Sequence, residues 1–314
     1  MRKELAIAVQ SAPWYNVYGG EDNAEYALEV AKACGFEAVD FNVEARYTCP
    51  QVLTKKPSEF FSQDIETILK VYEPLKKATE KTGIQLLQAH APFPCYFMSG
   101  PDEFNAHLYD VLDKSCAICQ YLGIPAVVMH PFICYDREIE RKVNLEMYRK
   151  MIPFGKKYGI KLCLENLWIN RTEMSTSFIG GACAEAEEAV WYIDTLNAEA
   201  GEEIFAFCYD LGHATICKRN VRDELNILGK RVICVHLHDN DGMNDQHYAP
   251  MIRRKTDWEG LILGLRDIGY RGAISFETGG ALKKYPKDLI PSMLKYIAKV
   301  GKYIRDRILE EEVK

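Results

Sequence analysis

The chain has 314 residues, of which 48% are hydrophobic and 27% charged, a balance that suits a globular core and rules out wholesale disorder. This length fits two ordinary domains or one large α/β barrel, since such barrels run to about 250 residues and beyond. Lys and Arg number 39 against 45 Asp and Glu, a net charge of −6; proteins that grip phosphate backbones usually carry a basic surplus, so no nucleic-acid partner is expected.

No apolar run approaches the roughly 20 residues that cross a bilayer, so no membrane partner is expected either. The opening MRKELAIAVQSAPWY has too short an apolar stretch for a secretory signal and reads as a first strand. From there strand-like and helix-like runs alternate. The predicted strands are residues 5–9, 38–41, 85–89, 126–129, 161–164, 205–209, 232–237 and 273–276, apolar almost throughout, as strands covered on both faces are. Amphipathic stretches at 59–82, 102–122, 140–158, 184–196 and 288–308 lie between them. Gly35, Gly83, Gly123, Gly159 and Gly269 stand where helices should stop. Eight strands alternating with helices predict an α/β fold, a single-domain (β/α)8 TIM barrel over residues 1–314. A doubly wound sheet is the competitor, and no Gly-rich phosphate fingerprint follows the first strand to support it.

The eleven cysteines are scattered. Cys116 and Cys119 form an isolated CxxC in a helix-like segment, better read as buried thiols than as half of a zinc knuckle. A reducing, cytoplasmic setting is expected.

In such a barrel, the C-terminal strand ends face the active site. Here those ends carry metal-competent side chains in succession: His90 in LLQAHAPF, His130 in VVMHPF, Glu165 in LCLEN, Asp210 and His213 in CYDLGH, His236 and His238 in VICVHLHDND, and Glu277 in ISFETGG. A later loop adds Asp245 and His247. Six of the seven histidines fall in this set; only His107 lies elsewhere, an ordinary partly exposed helix residue. Taken singly, each group reads as a cap or a satisfied backbone partner. Burying them together is expensive unless a cation compensates, and carboxylates and neutral imidazoles are a divalent ion's natural ligands. His236 and His238, two apart on a strand, share a face. Asn166, pointing away, is predicted to fix the adjoining loop. Trp14, Phe93, Trp168 and Trp258 lie near the same rim, as an apolar wall for a sugar or as seals of the barrel.

The ordered series HAPF, VVMHPF, LENL, DLGHA, VHLHDN, NDQHYAP…TDW and SFETGG resembles the xylose-isomerase-like superfamily, specifically its sugar phosphate isomerase/epimerase group. The resemblance implies a metal held by Glu165, Asp210, His236 and Glu277. It gives the two glutamates, Glu165 and Glu277, the catalytic proton transfers on either side of a substrate carbon, and His213 a contact with substrate oxygens. His90, His130, His238, Asp245 and His247, with Trp14 and Arg254, are assigned to substrate binding. The expected function is a divalent-metal-dependent isomerase or epimerase of a sugar, sugar phosphate or polyol, working by proton transfer next to a carbonyl. The expected metal is Mn²⁺, with Zn²⁺, Mg²⁺ or Co²⁺ as alternatives, and a homo-oligomer is possible.

Two features depart from the epimerases: Gly242 stands where they carry Arg, and MIRRK replaces a glycine-rich stretch, putting Arg253 and Arg254 in a loop that could reach an anionic group. Solvated loop charges are the plainer account. The alternatives are an inosose-type dehydratase, a sugar-binding barrel without chemistry, and an abasic-site endonuclease with three zinc ions. That last branch uses nine ligands, and His90, His130, Glu165, Asp210, His213, His236, Asp245, His247 and Glu277 match them. The acidic balance argues against a DNA enzyme.

Overall fold

A computed structural model of the chain describes residues 4–169, 179–253 and 255–310. Eight strands run parallel: β1 (Ile7–Gln10), β2 (Ala38–Asn42), β3 (Gln85–His90), β4 (Ala126–Val128), β5 (Lys161–Glu165), β6 (Phe205–Asp210), β7 (Val232–His236) and β8 (Ile274–Phe276). Each pairs with its neighbour in sequence, and β1 also pairs with β8. A parallel bridge from Leu237 to Phe276 brings β7 against β8 and all but closes the ring. This is the (β/α)8 barrel that the strand–helix alternation predicts.

The main helices are α1 (Ala24–Cys34), α2 (Glu73–Thr82), α3 (Asp102–Leu122), α4 (Arg137–Tyr158), α5 (Ala186–Ala200), α6 (Val221–Leu228), α7 (Trp258–Asp267) and α8 (Ile290–Leu309). Strand residues alternate between two apolar environments. Ile7, Val9 and Val39 join the outer core under the helices. Inside the barrel the side chains are mostly small: Ala6, Ala8, Ala38 and Ala273 form one group, and Ala126, Val128, Cys163, Ala206, Cys208 and Cys234 another. All eleven cysteines are free, and Cys116 and Cys119 are buried on α3.

Most strands reach past their predicted ends, because the polar residues that follow the apolar runs remain in register. Gln10, Asn42, His90, Glu165 and Asp210 are each the last residue of a strand. The stretch predicted as one helix over 59–82 is divided. A helix at Ile65–Val71 starts at Asp64, whose side chain accepts from Thr67 N, and α2 starts afresh with Pro74 in its first turn, where proline's missing N–H leaves nothing unpaired. Residues Trp168–Ile169 and Ile179–Gly180 form a small antiparallel pair outside the barrel, which hydrophobic periodicity did not reveal. Among the described residues no helix is long and apolar enough to cross a membrane.

Candidate metal and active centre

Glu165, Asp210 and His236 end β5, β6 and β7, and Glu277 follows β8 directly. Each offers a ligand atom, and these four atoms lie within 4.8 Å of one another. All four residues are buried. Asp210 divides its labour: Oδ1 accepts from His213 N at 2.6 Å and caps the short helix Leu211–Ile216, while Oδ2 is buried with no hydrogen-bond partner. A buried carboxylate oxygen left unpaired is costly. Asn166 fixes this corner, trading two backbone hydrogen bonds of 2.8 Å with Asp210, as the sequence predicts. His236 turns Nδ1 toward Glu165 Oε1 (3.0 Å) and Glu277 Oε2 (3.2 Å).

The centre extends to both sides. His130 Nε2 lies 2.8 Å from Glu165 Oε2 and 3.0 Å from His90 Nε2. On the other flank Asp245 Oδ2 is 2.9 Å from His247 Nε2 and 3.5 Å from His213 Nε2. Three further donor triads flank the central set, namely His90, His130 and Glu165; Asp210, His213 and His238; and His238, Asp245 and His247, while a fourth, Glu165, Cys208 and His236, lies within it but for the thiol. Burial alone would raise the carboxylates. Against it, His236 and His130 hold Glu165 well below the usual carboxylate range, and His213 and His238 lower Asp210. Burial opposes charge on the imidazoles, yet Glu277 and Asp245 push His247 up to about 10, and Asp210 and Asp245 raise His213 well above the usual imidazole range. His130 is the exception, lowered by burial. The site as a whole attracts positive charge, and its nitrogen and carboxylate oxygen donors fit a divalent cation.

Sequence reasoning missed three residues from the first strands. Gln10 Nε2 donates to Glu277 Oε1 at 2.6 Å. Asp40, fully buried, accepts through Oδ2 from Gln88 Nε2 (2.7 Å) and Ser275 Oγ (3.0 Å). The same oxygen lies 3.2 Å from His236 Nε2, an ion-pair contact rather than an aligned hydrogen bond. Glu44 Oε2 is 3.3 Å from His90 Nδ1, and burial raises its carboxyl above the usual range. The available signal was an acid inside an apolar strand: Asp40 interrupts AVDFN.

Of the residues expected to bind substrate, Trp14 and His238 do not line the pocket. Trp14 is fully buried, its Nε1 donating to Gln10 O at 2.7 Å, so it seals the base of the loop and does not reach the pocket. Trp258 is likewise buried and does not line the pocket. His238 is fully buried beneath the pocket surface, stacked on His247 with ring centroids 4.2 Å apart. Its Nε2 lies 3.3 Å from Asp210 Oδ1 and 3.5 Å from Asp245 Oδ1. Arg254 lies outside the described residues. Arg253 places its guanidinium over Tyr248, a loop contact away from the pocket. His107 accepts from Ser58 N, an ordinary structural role.

The pocket above the centre measures about 930 Å³. Glu165, Glu277, His90, His130, His213 and His247 line its base, and Phe93, Tyr96, Phe97, Phe132, Ile133 and Trp168 one side.

Fold and donor set together define a barrel protein with an acidic and imidazole centre at the C-terminal mouth of its strands. The chain belongs to the xylose isomerase-like TIM barrel family, whose sequence profile matches residues 28–299. It is 30% identical over 292 residues to protein y4fM of Sinorhizobium fredii (strain NBRC 101917 / NGR234), covering 84% of this chain and 82% of that one. Among solved structures, a D-tagatose 3-epimerase-like protein superposes with a TM-score of 0.66 at 17% identity, over 96% of this chain and 99% of the other. A D-psicose 3-epimerase solved in the presence of D-fructose gives 0.66 at 16% identity, over 95% and 99%.

Proposed function

We propose that this protein is a divalent-metal-dependent sugar epimerase or isomerase that moves a proton at a carbon next to a carbonyl. The observation that carries this reading is that Glu165 and Glu277 belong to one four-residue donor set and also line the pocket. Glu165, Asp210, His236 and Glu277 would hold the cation, and the oxygen-rich set favours Mn²⁺ over softer ions. When bound, the cation supplies Lewis-acid polarisation of adjacent carbonyl and hydroxyl oxygens.

The chain's own groups do the rest. One glutamate takes the proton from carbon and the other supports its return, and epimerisation follows when they act on opposite faces. Gln10 pins Glu277 Oε1, so the carboxylate's angle is set before substrate arrives. Glu44, held beside His90 at the pocket, offers a carboxyl oxygen for a hydrogen bond with a sugar hydroxyl. The apolar side sheds water from the reacting carbon. Free thiols throughout fit a reducing cytoplasm.

One observation favours a second reading, a three-zinc abasic-site nuclease: the three donor triads flank the central set. Against it, Lys283 is the only Lys or Arg among the described residues lining the pocket, a poor grip for phosphates.

Metal analysis and hydrogen exchange in D₂O test the proposal together. About one Mn²⁺ per chain, with exchange of carbon-bound hydrogen on a ketose, is expected; Glu165→Gln and Glu277→Gln should each abolish exchange and weaken metal uptake. Three zinc ions per chain with cleavage of abasic DNA would replace the proposal with the second reading.

A further inference from the structure

Beneath the pocket floor the barrel carries thiols on three successive strands. Cys163 on β5, Cys208 on β6 and Cys234 on β7 pack in one buried group with Ala126, Val128 and Ala206. Cys163 and Cys234 meet Sγ to Sγ at 3.8 Å. Cys208 joins the centre above: its Sγ, a carboxylate oxygen of Glu165 and a nitrogen of His236 lie within 4.8 Å of one another. Strand pairing puts it there. Cys208 is the register partner of Glu165 on one side. On the other, the register of β6 with β7 shifts between Phe207 and Cys208, which sets Cys208 opposite Cys234 and Asp210 opposite His236. Such a shift re-aims the side chains beyond it, and Cys208 and Asp210, two apart, share the inner face of β6.

This triad differs in kind from the four-residue set. Sulfur, nitrogen and oxygen donors together suit zinc, whereas manganese prefers oxygen. It also lies lower. Of its three members only Glu165 lines the pocket, so a cation drawn to Cys208 and His236 is held under the floor, away from a ligand above. The two sets share Glu165 and His236. Asp40 Oδ2 stands beside His236 Nε2, which leaves Nδ1 for a cation, and one lone pair serves one ion at a time.

Resting on the metal-dependent reading above, we infer that Cys208, His236 and Glu165 form an alternative seat for a thiophilic divalent ion such as Zn²⁺, exclusive with the Mn²⁺ seat. Binding there displaces the thiol proton to solvent and withdraws Glu165 from proton transfer. Zinc thus switches the centre off, and Cys208 sets how strongly it outcompetes manganese.

The test titrates the full chain with Co²⁺, a spectroscopic stand-in for zinc, and the Mn²⁺-loaded chain with Zn²⁺. Bound Co²⁺ should show a thiolate-to-cobalt charge-transfer band in the near ultraviolet, which Zn²⁺ erases. Zn²⁺ should also release the Mn²⁺, read from the paramagnetic resonance of the free ion. Cys208→Ser and Cys208→Ala should each lose the band and lower the preference for Zn²⁺ over Mn²⁺ by at least about tenfold. The alanine variant adds one more small side chain to an interior already lined with them, at little risk to folding. Cys163→Ser leaves the triad whole and should keep the band. A band that survives both Cys208 variants or depends on Cys163, or Zn²⁺ that binds beside retained Mn²⁺, overturns the inference. Uptake of Mn²⁺ and Co²⁺ with no band removes this inference alone, and a chain that takes up neither ion removes the reading beneath it as well.

Discussion

Asp40 never meets the pocket, yet it governs how His236 can present itself. Gln88 and Ser275 hold its Oδ2 in place, 3.2 Å from His236 Nε2, while Nδ1 of the same ring faces Glu165 and Glu277. An acid on one nitrogen favours the proton there and leaves the other nitrogen's lone pair for a cation. Asp40→Asn keeps an oxygen for Gln88 and Ser275 but removes that bias. Mn²⁺ affinity, measured by chelator competition, is expected to fall about 10- to 100-fold with an unchanged far-UV spectrum. Rescue by Asp40→Glu would tie the loss to the charge, and unchanged affinity in Asp40→Asn would assign Asp40 to packing alone.

The turn leaving β6 shows how closely an element must fit its neighbour for the centre to form. Gly212 opens the short helix capped by Asp210, and a Cβ there would stand 1.9 Å from Cε1 and 2.2 Å from Nε2 of His238. That ring has no retreat, buried between Asp210, Asp245 and the stacked His247. Gly212→Ala is expected to cost about 1–3 kcal/mol, as overpacking does, and a shift of the urea midpoint measures it. A neutral result would mean that the helix can tilt away. The same strand end shows what sequence can convey: β6 is apolar up to Tyr209 and then turns polar at Asp210, so both the strand and its functional end were legible. Order along the chain exposed Glu165, Asp210, His236 and Glu277 in the same way. Gln10 and Glu44 escaped because no motif marks them; their roles come from contacts with Glu277 and His90, 267 and 46 residues away along the chain. The burial of Trp14 and His238 was equally hidden, since a rim position in sequence does not say whether a ring points into the pocket or beneath it.

At the scale of the whole barrel, the distribution of stability follows from what fills its interior. Small Ala and Cys side chains occupy the middle layers, and the outer core under the helices carries most of the apolar burial. Above those layers the strands converge on carboxylates and imidazoles that neutralise one another only in part, with Asp210 Oδ2 unpaired. Partly satisfied buried polar groups subtract from stability, so the mouth costs the fold stability that a cation held there would offset. A ligand that binds only the folded chain adds about 2.7 kcal/mol at a concentration one hundred times its Kd. For chains of this size each kcal/mol raises Tm by roughly 2–4 °C. Stripping divalent ions with a chelator is therefore expected to lower Tm by several degrees, with recovery on adding Mn²⁺. The Glu165→Gln protein, lacking a carboxylate shared by the central set and one flanking triad, should show little of that difference. A Tm indifferent to chelator and to Mn²⁺ would mean that the imidazoles and carboxylates already compensate each other, and the centre would then be a charge-paired seal across the barrel mouth.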